Sequence, residues 1–325
     1  MNTAILVTGG AGFIGSAYVR HLLSPRRRSG TAVTVLDKLT YAGSLARLHA
    51  VRDHPDLTFV QGDVCDASLV DALAGRHDQI VHFAAESHVD RSIADSGAFT
   101  RTNVLGTQVL LDAALRHGVR TFVHVSTDEV YGSLPHGAAK ETDILRPTSP
   151  YAASKAASDL IALAHHHTHG LDVRVTRCSN NFGPHQHPEK LIPRFLARLL
   201  SGATVPLYGD GRYERDWLHV DDHVRALELV RLSGRPGEIY NIGGGTSLSN
   251  LELTHRLLAL CGAGPERIEH VEDRKGHDRR YAVDHGKITA ELGYRPRTDF
   301  TAALADTAQW YGRHADWWRP LLAVG

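Results

Sequence analysis

The chain has 325 residues, 42% of them hydrophobic, which is enough for a large core and exceeds the usual size of one domain. Lysine plus arginine and aspartate plus glutamate number 36 each, so the formal charge is zero, excluding a whole-protein field that would gather nucleic acid or an anionic membrane. No basic leader with an apolar core opens the chain and no later run approaches bilayer length, which predicts a soluble, cytoplasmic protein with neither membrane nor nucleic-acid partners.

In chain order, Ala4 to Thr8, Ala32 to Asp37, Leu57 to Gln61, Gln79 to Phe83, Thr121 to Ser126 and Val173 to Cys178 predict strands. They are short, continuous apolar runs rather than alternating ones, as in strands covered on both faces. Helices are predicted between them at Phe13 to Leu23, Ser44 to Val51, Leu69 to Ala74, Gly97 to His117 and Ala152 to Thr168. The fold class is therefore α/β, a Rossmann-type doubly wound parallel sheet. Past Cys178 the chain is punctuated by proline and glycine, which predicts a smaller, mostly C-terminal lobe with irregular connections. Residues 1–178 plus about 213–243 are assigned to a nucleotide-binding domain, and about 179–212 and 244–325 to the smaller lobe. Pro25 to Gly30, with three successive arginines, predicts a solvated loop. Cys65, Cys178 and Cys261 are odd in number and outside any Cys-x-x-Cys pattern, which predicts buried free thiols and no zinc site.

Gly9, Gly12 and Gly15 follow the first strand and open the first helix, the context of a dinucleotide fingerprint. The first glycine permits a tight turn, the second lets a diphosphate approach the backbone, and the third permits close helix packing. Asp37 ends the next strand, 22 residues beyond Gly15, where a carboxylate accepts from a ribose diol and repels a 2′-phosphate. NAD is expected over NADP. Asp63, after the third strand, suits either an adenine amine or a turn, and Ala84 and Ala85 would let a cofactor lie across the strand ends.

Tyr151 and Lys155 lie one helical turn apart behind Ser149-Pro150, a helix start. The ammonium, together with a cationic nicotinamide, is expected to lower the tyrosine pKa toward that of a base. Thr127, Asp128 and Glu129 follow the fifth strand at the carboxyl end of the sheet, where open α/β folds bind ligands. A tyrosine alone serves an enzyme that only moves hydride, so two further carboxyls point to proton transfers at a second carbon. Once C4 of a sugar is a ketone the C5 proton is acidic, and a base at C5 with an acid at C6 expels the C6 hydroxyl. Glu129 is expected as base and Asp128 as acid, provided the chain turns there, because neighbours in an extended segment point to opposite faces.

These stretches resemble the extended short-chain dehydrogenase/reductase family, and within it the sugar-nucleotide dehydratases. The similarity covers almost the whole chain and includes Asp37 to Gly43, Ala84 to Ser92, Ser126 to Gly132, Asn180 to Pro184, Pro188 to Pro193, Leu207 to Gly211, Arg215 to Trp217 and Asp273 to Asp278. The Asp128-Glu129 pair is its most specific element. The resemblance implies a tightly bound NAD regenerated each turnover and a dTDP-sugar substrate, with Thr127, Asp128, Glu129, Tyr151 and Lys155 catalytic. The implied cofactor set is Gly9, Gly12, Phe13, Ile14, Gly15, Asp37, Lys38, Thr40, Asp63, Val64, Ala84, Ala85 and Ser87, with Tyr151 and Lys155. The implied substrate set is Ser87, Thr127, Asn180, Glu189, Lys190, Leu191, Pro206, Tyr208, Arg215, Asn250, Arg274, His277 and Tyr281. A homodimer through a four-helix interface of Gly97 to His117 and Ala152 to Thr168 is also implied. Ala17, Tyr18 and Phe182 depart from the family pattern, away from the catalytic groups.

His165, His166, His167 and His169 hold an i, i+4 pair without a completing ligand, so a solvated helix face is expected rather than a metal site. A sugar-nucleotide 4-epimerase would leave both carboxyls idle, and a noncatalytic NAD-binding regulator would need none of the five catalytic candidates.

Overall fold

Each of the six apolar runs forms a strand in the computed structural model of the chain, which describes residues 3–24 and 30–322. They are β1 (Thr3–Thr8), β2 (Thr31–Asp37), β3 (Leu57–Gln61), β4 (Gln79–His82), β5 (Thr121–Thr127) and β6 (Val173–Cys178). Between them run α1 (Phe13–Leu22), a 3-10 helix at Leu45–Val51, α2 (Ala67–Ala74), α3 (Val89–Ala94), α4 (Ser96–Phe99), α5 (Gly106–Arg116) and α6 (Pro150–His169). The rest of the chain forms β7 (Asn180–Phe182), α7 (Leu191–Leu200), β8 (Val205–Tyr208), β9 (Glu214–His219), α8 (Val220–Ser233), β10 (Ile239–Ile242), β11 (Ser247–Ser249), α9 (Asn250–Leu260), β12 (Ile268–Val271), β13 (Arg280–Tyr281), α10 (Gly286–Leu292), α11 (Phe300–Arg313) and α12 (Ala315–Leu322).

The main sheet has the order β10-β6-β5-β4-β1-β2-β3, every pair parallel. All of β5 and β6 is buried. Val19, Leu22, Val224 and Leu227 of α1 and α8 cover one face of the sheet, whereas Val70, Leu110, Leu111 and Ala162 of α2, α5 and α6 cover the other. The chain winds outward from β1 to β3 and then returns to β4 on the opposite side of β1. A crevice opens at such a switch point, above the strand ends.

β10 escapes the sequence patterning because Asn241 interrupts its apolar run. In the fold that asparagine is fully buried, accepting from Tyr131 and donating to Ala139 O. β9 joins a separate four-stranded sheet with β7, β11 and β13, and β8 pairs with β12. Four helices, α7, α9, α11 and α12, accompany these strands, so the second half is more regular than its composition predicts. Its core gathers Phe195, Leu196, Leu257, Tyr311 and Trp318.

The expected helix Gly97 to His117 is interrupted by a π-helical turn at Thr100–Leu105. The turn carries Asn103, whose side-chain amide holds the Glu86 backbone at both N and O and donates to Ser154 of α6. His165 corrects the expected solvated histidine face: it is buried, hydrogen-bonded to Ile161 O and 3.2 Å from Asp112, whereas His167 and His169 are exposed. All three cysteines are free, but only Cys178 is buried. Tyr18 donates to Glu228 and ties α1 to α8, and Phe182 packs against Trp217, His219 and Phe300. Residues 25–29 of the expected arginine-rich loop lie outside the described residues. No described helix is long and apolar enough to cross a membrane.

Candidate active site

Local geometry fixes the glycine turn. Gly9 has φ +70°, and a Cβ there would lie 2.6 Å from Ala84 N; one at Gly15 would lie 2.2 Å from Gly9 O. These positions leave α1 opening on bare backbone N–H groups, which suit a diphosphate. Asp37 braces the turn, accepting from Ala11 N at 2.9 Å and Leu39 N at 2.8 Å, with lone pairs left for a ribose diol. Asp63 serves as both turn residue and ion-pair partner: one oxygen accepts from Cys65 N and the other lies 2.7 Å from Lys38 Nζ.

From this turn a cavity runs over the ends of β1, β4 and β5, and every member of the expected cofactor set lines it, Phe13, Ile14, Thr40, Val64, Ala85 and Ser87 included. A bare-backbone turn, a diol acceptor and a trough of small residues are what NAD requires, so these residues fit that group.

The same cavity takes in Thr127, Asp128, Glu129, Tyr151 and Lys155. β5 ends at Thr127, whose hydroxyl accepts from Glu129 N at 3.3 Å and so caps a 3-10 turn at Asp128–Tyr131. The chain thus turns where the two carboxyls need it to. Asp128 is 3% exposed; Thr127 donates to its Oδ1 at 3.2 Å, while Oδ2 has no hydrogen-bond partner among the described residues. Burial, with Glu129 and Asp216 nearby, pushes the Asp128 pKa well above the carboxylate range. Burial also raises Glu129, but Arg274, Arg215 and Lys190 oppose the shift. Both carboxyls are shifted toward the protonated form, Asp128 the more strongly, while the cations around Glu129 oppose its shift.

Ser149 accepts from Ala152 N and Pro150 occupies the first turn, which starts α6 just before Tyr151. Lys155 donates to Val125 O at 2.9 Å, and burial brings its pKa down to about 8. The expected low tyrosine pKa is not met by the protein alone. Burial, then the Glu129 charge, raises Tyr151 well above its ordinary value. The Thr127 hydroxyl lowers it, but the Lys155 ammonium is not among the groups that shift it.

Of the expected substrate residues, Ser87, Thr127, Asn180, Glu189, Lys190 and Leu191 line this cavity. Glu189 accepts from Tyr41 at 3.2 Å and Lys190 donates to Ser87 O at 2.8 Å, joining the two halves of the chain across it. Pro206, Tyr208, Arg215, Asn250, Arg274, His277 and Tyr281 are not in its wall. They belong to β8, β9, α9, β13 and the segment before β13. The Arg215 guanidinium lies 4.4 Å over the Tyr281 ring, and Arg274 sits 3.7 Å from Asp90. His277 meets Tyr208 edge-on and stacks 3.7 Å from Tyr213. Sequence reasoning missed Arg47, Glu86, Gln186, His187 and Trp217 as lining residues. Glu86 and Trp217 carried a signal, lying within the Ala84 to Ser92 and Arg215 to Trp217 stretches of resemblance.

Residues 6–307 match the family model described as GDP-mannose 4,6 dehydratase. A relative from Streptomyces antibioticus named dTDP-glucose 4,6-dehydratase is 62% identical over 98% of this chain and 95% of its own length. Another of that name, from Streptomyces griseus, is 62% identical over 100% and 99%. The solved structure of DesIV, dTDP-glucose 4,6-dehydratase from Streptomyces venezuelae with NAD bound, superposes with a TM-score of 0.96 at 57% identity, covering 98% of this chain and 100% of that one.

Proposed function

The chain belongs to the GDP-mannose 4,6 dehydratase family, and from that premise we infer that it is a lyase converting dTDP-glucose to dTDP-4-keto-6-deoxyglucose in deoxysugar biosynthesis. The chemistry that NAD supplies when bound is reversible hydride storage, from C4 of the sugar and back to C6. Gly9 to Gly15 would hold its diphosphate, and Asp37 its ribose diol.

In our assignment, Tyr151 removes the C4 hydroxyl proton and Thr127 bonds the C4 oxygen. Lys155, one helical turn on, supplies positive charge beside the tyrosine. Glu129 takes the C5 proton while Asp128 gives its own proton to the C6 hydroxyl, which leaves as water. Glu129 then returns a proton to C5. Over one turnover Tyr151 gains a proton and Asp128 loses one, so the cycle closes when a proton passes from the tyrosine to the aspartate. Thr127, which already donates to Asp128, stands on that route.

The observation that carries the assignment is the turn at Asp128, which brings a carboxyl pushed toward its acid form and a cation-flanked one into the cavity that holds Tyr151. A 4-epimerase or a noncatalytic NAD-binding regulator would gain nothing from a buried Asp128 beside a second carboxyl in the cavity wall. Buried acids without a task destabilise a fold.

We assign NAD to residues 1–178 with about 213–243, and the nucleotide end of the sugar substrate to the smaller lobe. Arg274, with Arg215 from the 213–243 segment, suits its diphosphate, and Tyr208 its base. Homodimerisation through the two long helical segments is supported by exposed Leu105 and Leu160, apolar side chains that a partner would cover. Cytoplasmic location follows from the charged cofactor and substrate, which do not cross membranes unaided.

Substrate labelled with deuterium at C4 tests the function. Water loss with the label at C6, without added reductant, is expected. An isobaric C4 epimer or no turnover would overturn it.

A further inference from the structure

Tyr151, Lys155 and Asp159 follow one another at intervals of four along α6, a single stripe on one face. All three are buried, and Asp159 is completely so. Among the described residues Lys155 has one hydrogen bond, to the Val125 carbonyl, and no ion-pair partner. An ammonium in that position is costly unless negative charge lies close by.

Of the groups whose charges act on Lys155, Asp159 raises its pKa most and Cys178 next. His82 on β4 and His124 on β5 are kept neutral, the latter by burial that brings it down to about 4. Cys178 on β6 is pushed up by burial to about 12 and remains a thiol. Arg177, also on β6, is a cation and is spoken for on the far side. Its Nε donates to Asp159 Oδ2 at 2.9 Å and its Nη1 to Tyr131. The other Asp159 oxygen lies 3.3 Å from His124 Nε2. Although burial raises the Asp159 pKa, His124 and Arg177 outweigh it and hold the residue as a carboxylate.

We propose that Asp159 is a positioning residue for catalysis: pinned by Arg177 and His124, its carboxylate supplies the negative charge that keeps Lys155 a cation beside Tyr151. Arg177 and His124 act through Asp159, and Asp159 acts through Lys155. The inference rests on the proposed function only for the role of Lys155.

The sequence contains six lysines, so the ε-carbons can be followed one by one by NMR in the full-length protein grown on 13C-lysine, with Lys155→Met giving the assignment. Lys155 is expected to titrate near pH 8 in the wild type. In Asp159→Asn the midpoint should fall by at least about one unit, as one nearby buried charge dictates. Asp159→Glu, which keeps the charge, should stay within about half a unit of wild type. The alkaline limb of the turnover-pH profile should move to lower pH with the lysine. If Asp159→Asn does not fold, Asp159→Asn with Arg177→Gln removes the buried pair together and should produce a smaller fall in the same direction, because loss of the Arg177 cation offsets part of the loss of the carboxylate. An unchanged Lys155 midpoint, or an equal fall in Asp159→Glu, overturns the proposal. Because the titration needs no substrate, its failure is distinct from failure of the labelled-sugar experiment.

Discussion

Gly15→Ala should weaken NAD binding far more than it weakens the fold. The added methyl would sit 2.2 Å from Gly9 O, 2.9 Å from Gly9 C and 3.0 Å from the Gly10 Cα, more than an ångström short of ordinary contact with the oxygen. Gly9 cannot retreat. Its N–H is bonded to Leu36 O at 2.8 Å, and its Cα faces the Ala84 backbone. The first turn of α1 must therefore move outward, taking its free N–H groups with it. Such overpacking costs roughly 1–3 kcal/mol of stability, spread over a large protein as a fall of a few degrees in Tm. Each charge-assisted hydrogen bond lost to the diphosphate costs about 1.5–3 kcal/mol, so losing one or two weakens NAD by roughly tenfold to about twenty-thousandfold. Calorimetric titration of NAD into nucleotide-stripped protein, with a thermal melt of the same sample, reads both quantities. A folded variant that binds NAD as tightly as wild type would refute the assignment of this turn to the diphosphate.

Glu129→Gln should bind NAD with unchanged affinity, yet lower the rate of water loss by about 10²- to 10⁴-fold, the usual contribution of a positioned base. Mass analysis of the product checks this, and full water loss by the variant contradicts the base assignment. Asp128→Asn imitates the protonated acid in shape, so it should fold normally while losing elimination. Its effect on stability depends on pH. The folded-state pKa of Asp128 is raised above its ordinary 3.8, so its favourable contribution is complete below that value and is lost as pH rises through the folded pKa. The variant has no such proton to lose, and its Tm relative to wild type should climb from acid toward neutral pH. A constant difference across that range would mean that Asp128 is ionised in the folded state.

The parallel strands were legible because burial on both faces demands unbroken apolar runs, and the glycine turn because its spacing answers to backbone geometry alone. Those features are local, and a linear pattern records them. β10 was not legible, since its buried Asn241 is satisfied by Tyr131 and Ala139, which lie about a hundred residues away. His165 misled for the same reason: its partner Asp112 comes from a different helix.

The amino-acid order alone determined which groups of the candidate site exist and how they are spaced along single elements: Gly9 to Gly15, Asp128 beside Glu129, and Tyr151 one turn before Lys155. Only the tertiary structure decided their charge states. How strongly Asp128 is pushed toward its acid form, whether Glu129 has cations around it, and which groups hold Asp159 as a carboxylate depend on residues brought together from distant parts of the chain and on exclusion of water. A pKa reports that three-dimensional surrounding, which no interval along the sequence encodes.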